Sequence, residues 1–249
     1  MTRRRAGSVV FAGPTLSGCD LSPYAHFTFL PPARCGDVLA AVKRGATSLL
    51  LIDGYFDSTA APWHKEILAA LARDCMVAGA ASMGALRAAE CARFGMIGVG
   101  EVYRLYASGA ITCDCEVAVL HGPPELDYCG LTDAMVDIRW RVRRALAARD
   151  IDETDSERLL AEAAKVHFKQ RHWAEIVARA VSDAGKRARL MARAEESRKR
   201  EDALEALCLL RDGELRPPAT AITPDELQVS QYLTLLERVV RKDMAARRR

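Results

Sequence analysis

Little in this chain leans to an extreme, and what it lacks narrows the field first. A formal net charge of +3 over 249 residues is too small to bind nucleic acid by electrostatics. No apolar run approaches the roughly 18 to 20 residues that span a bilayer. "MTRRRAGSVVFAGP" at the start is basic, but its apolar stretch is too short for a secretory signal and reads better as a first strand. Neither G-x-x-x-x-G-K-[ST] nor G-x-G-x-x-G follows that strand, so a nucleotide site has no phosphate-loop support, and the glycines of "GMIGVGEV" fall in the wrong place for one. Eight cysteines include no C-x-x-C pair. "CDCE" (Cys113–Glu116) has no second pair to complete a tetrahedral metal site. The expectation is a cytoplasmic protein with mostly free thiols, several of them buried, and with no metal and no cofactor.

What is present fits a globular protein: 50% apolar and 28% charged residues, enough for one substantial core with a helical appendage. The charge is uneven. Residues 1–130 carry 11 Lys and Arg against 12 Asp and Glu, a net of −1; the remainder carries 25 against 21, a net of +4. The first part also has a strand rhythm. "SVVFAG" (Ser8–Gly13), "HFTFLP" (His26–Pro31), "SLLLIDG" (Ser48–Gly54) and "MVAGA" (Met76–Ala80) are short apolar runs ending at or near Gly or Pro. Between them, Gly36–Arg44 and Trp63–Arg73 have helical spacing: Val38, Leu39 and Val42 share one face, and Ile67, Leu68 and Leu71 another. This alternation predicts an α/β fold, a Rossmann-like, mostly parallel sheet with helices on its faces.

"FGMIGVGEVYRLYASG" reads as a glycine-rich lead into a short helix, and "EVAVLHGPP" as a further strand. From Leu131 the pattern becomes helical. Thr132 is an N-cap candidate ahead of Met135, Val136, Ile138 and Val142. One helix or a pair is expected from Thr154, with more over Lys186–Arg211 and Thr223–Arg241 and "GELRPPATAIT" as a break. The division is an α/β core over 1–130 and a helical region over 131–249, suited to partner docking.

In an open parallel sheet the working residues collect beyond the carboxyl ends of the strands. Four blocks fall there: "GPTL", "IDGYF", "WHKEI" and "GAASMGALRAAE". They nominate Gly13, Thr15, Asp53, Gly54, His64, Lys65, Glu66, Ser82, Met83, Gly84 and Arg87. Ser82 sits where a strand gives way to a helix, so it is either an N-cap or a nucleophile in a turn relieved of bulk by Gly79 and Gly84, with helix amides ready for an oxyanion. A serine needs a base. His64 is preferred, with His121 after the later strand as the other choice; His26, His167 and His172 read as structural. Asp53, Glu66, Asp114 or Glu116 could orient the base, the last two sharing one side of an extended segment. Arg87 and Glu90 are spaced to pair.

The blocks "VFAGPTL", "PPARCGDV", "IDGYFDSTAAPWHKEIL", "VAGAASMGALRAAECARFGMIGVGEVYRLYASG" and "CDCEVAVLHGPP" resemble the core of the TfuA family over roughly Val9 to Arg139. That resemblance implies a partner of YcaO-type cyclodehydratases in peptide backbone thioamidation, as in ribosomally made peptides. It implies hydrolysis of the C-terminal thiocarboxylate of a ubiquitin-like sulfur-carrier protein, with sulfide as the product; a precursor peptide is a further possible contact. Applied to this chemistry, Ser82 is the nucleophile and His64 its base, with Asp53 and Glu66 beside it. Gly13, Thr15, Gly54, Lys65, Met83, Gly84, Arg87, Glu116 and His121 are expected to hold the substrate. Two other readings stay open: a non-catalytic adaptor that brings the carrier to the YcaO partner, and persulfide transfer through a cysteine such as Cys91 or Cys115. Where family members carry two adjacent acids before "EVA", this chain has Asp114-Cys115-Glu116.

Overall fold

The computed structural model describes residues 7–57, 59–216, 227 and 229–246. Five strands, β1 (Ser8–Phe11), β2 (Thr28–Leu30), β3 (Ser48–Leu51), β4 (Met76–Ala80) and β5 (Ile97–Val99), form one sheet in the order β2-β1-β3-β4-β5. Every pairing is parallel, as the Rossmann-like expectation required. Continuous apolar runs become strands here because both faces are covered. Phe11, Leu49, Leu51 and Val77 point to one side, where they meet α1 (Asp37–Lys43), α2 (His64–Leu71) and α3 (Met83–Cys91) through Val38, Ile67, Leu68 and Ala88. Val10, Leu50, Ala78 and Ala80 point to the other. There Ala203, Ala206 and Leu207 of α9 (Arg198–Arg211) close the core. The helical half therefore supplies one of the two layers that bury the sheet.

The other helices are α4 (Gly100–Ala107), α5 (Met135–Ala147), α6 (Glu153–Ala164), α7 (Trp173–Ala180), α8 (Ala184–Met191) and α10 (Gln231–Ala246). α5, α6 and α7 share a second core built on Ile138, Val142, Leu159, Trp173 and Ile176. α10 lies on α1 through Leu233 and Val240. α9 is pinned to α4 by a buried carboxylate: Asp202 accepts the Glu101 and Val102 amides at 3.0 and 2.8 Å, capping the helix start. No helix among the described residues is long and apolar enough to cross a membrane.

Several expectations change. β5 occupies the glycine-rich segment read as a lead into a helix; "IGV" is too short to show strand periodicity. "EVAVL" is not a strand: Asp114–Glu116 form a 3-10 turn, and the pairing nearby is an isolated bridge between His121 and Gly130. Asp114 and Glu116 thus do not share an extended face. Thr132 does not cap α5, which opens after Ala134; its hydroxyl accepts the Leu120 amide at 2.7 Å. The segment from Thr154 resolves into a pair, α6 and α7, and α6 starts just before it on its Asp152 cap. Lys186–Arg211 is broken, because Ser197 caps a new helix by accepting the Arg200 amide at 3.1 Å. Most of the expected "GELRPPATAIT" break and the first turn of the Thr223–Arg241 helix lie outside the described residues.

Candidate active site at the carboxyl edge of the sheet

β4 ends at Ala80 and α3 begins at Met83, leaving two residues to reverse the chain. Ala81 takes φ +66°, an uncommon conformation for a residue with a side chain. The Ser82 amide donates to Ala80 O at 2.7 Å across it. α3 then starts directly against β3: the Gly84 amide donates to Ile52 O at 3.1 Å, and a Cβ there would lie 1.7 Å from Leu51 O. The small residues at this junction therefore serve the approach of helix to sheet. Ser82 is 2% exposed and its side chain makes no capping bond to α3. Its Oγ instead lies 3.5 Å from Val117 O, the long limit of a hydrogen bond. The hydroxyl is not spent on the helix.

Ser82 lies in the wall of a cavity of about 510 Å3, together with Pro14, Asp53, Val117, His121 and Lys169. Asp53 is 1% exposed and fully engaged: it accepts Gly13 N–H at 2.9 Å, Thr15 N–H at 3.0 Å and the Thr15 hydroxyl at 2.6 Å. It thereby locks the loop after β1 to the end of β3, and it orients no histidine. Gly54 packs against Met83, where a Cβ would meet Met83 Cγ at 2.7 Å. His121 is half-buried between the rings of Tyr55 and Tyr128, at centroid distances of 5.6 and 5.9 Å. Its Nδ1 lies 2.8 Å from Gly122 O, which assigns the proton to Nδ1 and leaves Nε2 as an acceptor.

Sequence reasoning missed Lys199. It is 3% exposed, and its Nζ donates to Val117 O at 2.9 Å, the carbonyl that Ser82 also approaches. No described carboxylate pairs with it. Lys199 belongs to a second, polar cleft of about 320 Å3 that shares Pro14 and Val119 with the first. Asp137 sets its backbone: Oδ1 accepts the Lys199 amide and the Ser197 hydroxyl, both at 3.0 Å. The one sequence signal was three bases, Arg198 to Arg200, in the first turn of a helix, where cations oppose the macrodipole. Arg171, 4% exposed, is a second buried cation nearby, bonded to Cys115 O, Val166 O and Ala163 O. Lys199 is thus joined to the wall of the Ser82 cavity through Val117 O, whereas Arg171 lines neither cavity.

The remaining candidates lie elsewhere. His64 Nε2 pairs with Glu90 at 2.8 Å on the outer surface of α2 and α3, and it is not in the wall that holds Ser82. Arg87 joins that cluster, bonding Pro62 O at 2.8 Å and Glu90 at 2.5 Å. Burial pulls Glu90 upward, yet the hydrogen bonds from His64 and Arg87 outweigh it and hold the carboxyl below its usual range. Glu66 is buried and accepts amides from Gly36, Leu39 and Trp63, capping α1 and α2 together. Burial outweighs those donors and pushes its carboxyl up to about 7. Glu116 pairs with Arg139 at 3.0 Å, and neither it nor Lys65 lines the cavity. No group of three or more His, Cys, Asp or Glu side chains among the described residues is placed to hold a metal.

These features define a parallel α/β protein with a serine-bearing turn at the carboxyl edge of its sheet. Residues 53–172 match the family model described as TfuA-like protein, and over this part the chain is similar to that family. The match takes in Asp53, Ser82, Val117, His121 and Arg171, while Gly13, Thr15 and Lys199 lie outside it. No curated protein matches the chain.

Proposed function

We propose that this chain hydrolyses the C-terminal thiocarboxylate of a ubiquitin-like sulfur-carrier protein and so supplies sulfide to a YcaO-type cyclodehydratase for backbone thioamidation. The observation that carries the reading is the uncapped hydroxyl of Ser82, held by a strained turn beside a buried lysine that shares its acceptor. Ser82 Oγ attacks the thiocarboxylate carbon, and Lys199, in place of His64, takes the hydroxyl proton. The oxyanion is met by the Met83 amide at the start of α3 and by Lys199 once it carries the hydroxyl proton. Lys199 passes that proton to the sulfur, hydrosulfide leaves, and water then cleaves the acyl-enzyme. A buried nucleophile suits a slender chain end, and the cavity beside it is open enough to admit one. His121 lines the path and holds the incoming chain.

The test is sulfide release from a thiocarboxylated carrier in the absence of YcaO. Ser82→Ala is expected to fold and to lose activity by at least about 10^3-fold. Lys199→Arg keeps a cation but cannot accept a proton, so both it and Lys199→Met should be inactive. If Lys199→Arg retains activity, the lysine acts through charge alone. Equal release by wild type and Ser82→Ala refutes the serine mechanism. Release by neither without YcaO would favour the adaptor.

A further inference from the structure

Cys113 and Cys115 are joined by a disulfide two residues apart, within the expectation of mostly free thiols. The other six cysteines are free. Burial pushes the thiols of Cys35 and Cys75 up to about 11 and that of Cys91 up to about 12, so these three are poor nucleophiles. Cys91 is also buried, only 1% exposed.

The disulfide is different in kind. Its turn is held on both sides, by Tyr106 Oη donating to Cys113 O at 2.9 Å and by Arg171 donating to Cys115 O at 3.2 Å. Cys113 is exposed and Cys115 half-buried. The Cys115 amide donates to Cys113 Sγ at 3.1 Å, a donor placed to stabilise that sulfur as a leaving thiolate. Arg171 brings positive charge to the Cys115 side, which draws small anions. Two residues on, Val117 lines the cavity of Ser82.

We propose that this disulfide captures hydrosulfide. The HS− sulfur attacks Cys115 Sγ and forms a new S–S bond. The Cys113–Cys115 bond breaks with its electron pair on Cys113 Sγ, giving a Cys115 persulfide and a Cys113 thiolate. No outside oxidant is needed. Attack of the Cys113 thiolate back on Cys115 Sγ expels HS− and restores the disulfide, so the pair holds sulfide reversibly beside the site that releases it. The proposal relies on the hydrolase reading only for the natural source of sulfide.

The test uses the full chain, purified without reductant, treated with sodium sulfide and quenched with an alkylating agent. The peptide containing Cys113 and Cys115 should carry an alkylated persulfide on Cys115 and an alkylated thiol on Cys113. This is a gain of about 34 Da before alkyl groups are counted, as one molecule of hydrogen sulfide adds across the bond. Cys113→Ser and Cys115→Ser should each abolish the adduct. Ser82→Ala should form it unchanged from added sulfide and fail only when the thiocarboxylated carrier is the source, which separates this proposal from the hydrolase reading. Two free thiols in the untreated protein would overturn it. So would a disulfide left intact by sulfide, or an adduct that persists in both serine variants.

Discussion

Asp53 offers the sharpest contrast between two roles for one carboxylate. If it orients a catalytic base, Asp53→Asn should spare stability and cost activity about 10^4-fold, as in serine triads. The structure implies the reverse ordering. Its three accepted bonds, from Gly13 N, Thr15 N and Thr15 Oγ1, are structural. In Asp53→Asn the amide oxygen keeps both backbone donors, and the amide nitrogen donates to Thr15 Oγ1 after the hydroxyl rotates. The change exchanges charge-assisted bonds for neutral ones, about 1.5 kcal/mol in all. Asp53→Ala strands three donors, each costing about 1–3 kcal/mol if unsatisfied. Water from the adjoining cavity relieves part of this, so the expected loss is about 3–5 kcal/mol. Urea unfolding gives both values, and sulfide release gives the activity, which for Asp53→Asn should stay within about tenfold of wild type. An Asp53→Ala protein within about 1 kcal/mol of wild type, the net worth of a single bond, would refute the locking role. A stable Asp53→Asn with a loss of about 10^4-fold would do the same.

Three further outcomes are expected. Glu66 titrates near 7 when folded and near its ordinary 4.5 when unfolded, so the folded state holds more protons between those values. Stability should then fall as pH rises from about 4.5 through 7, by about 3 kcal/mol in total; Glu66→Gln should flatten this part of the pH dependence of urea midpoints. His64→Ala removes a half-exposed pair with Glu90, so sulfide release should change by less than about threefold, and stability by less than about 1 kcal/mol; a large loss of activity would return His64 to the site. Gly84→Ala forces α3 off β3, where the new Cβ would lie 1.7 Å from Leu51 O; a loss of about 3 kcal/mol or more is expected in thermal or urea unfolding.

The sheet was legible because parallel strands buried on both faces are short apolar runs, and four of the five were bounded by Gly or Pro. β5 was not, since its three residues contain a central glycine. The carboxyl-edge argument brought Gly13, Thr15, Asp53, Gly54 and Ser82 to one place because topology alone dictates where those loops emerge. It failed for His64 and Glu66, which follow the long 53–63 connection and begin a helix whose first turn faces α1 and α3 rather than the cavity. Hydropathy marks a residue as fit for burial without saying which neighbour it meets. Lys199 is the extreme case: its partner carbonyl is 82 positions earlier in the chain, and no local pattern encodes so distant a pairing.

The placement of α9 over the face of the sheet opposite α1, α2 and α3 has a consequence for how the protein is made. Val10, Leu50, Ala78 and Ala80 are synthesised early, but Ala203, Ala206 and Leu207, which cover them, emerge from the ribosome only after most of the chain. Until then the nascent sheet presents an uncovered apolar surface, a state prone to aggregation and to chaperone capture. The same delay keeps Lys199 away from Val117, so a chain stalled before its last quarter can build the Ser82 turn but cannot complete the site. Maturation of the fold and completion of the proposed site are thus tied to one late docking event.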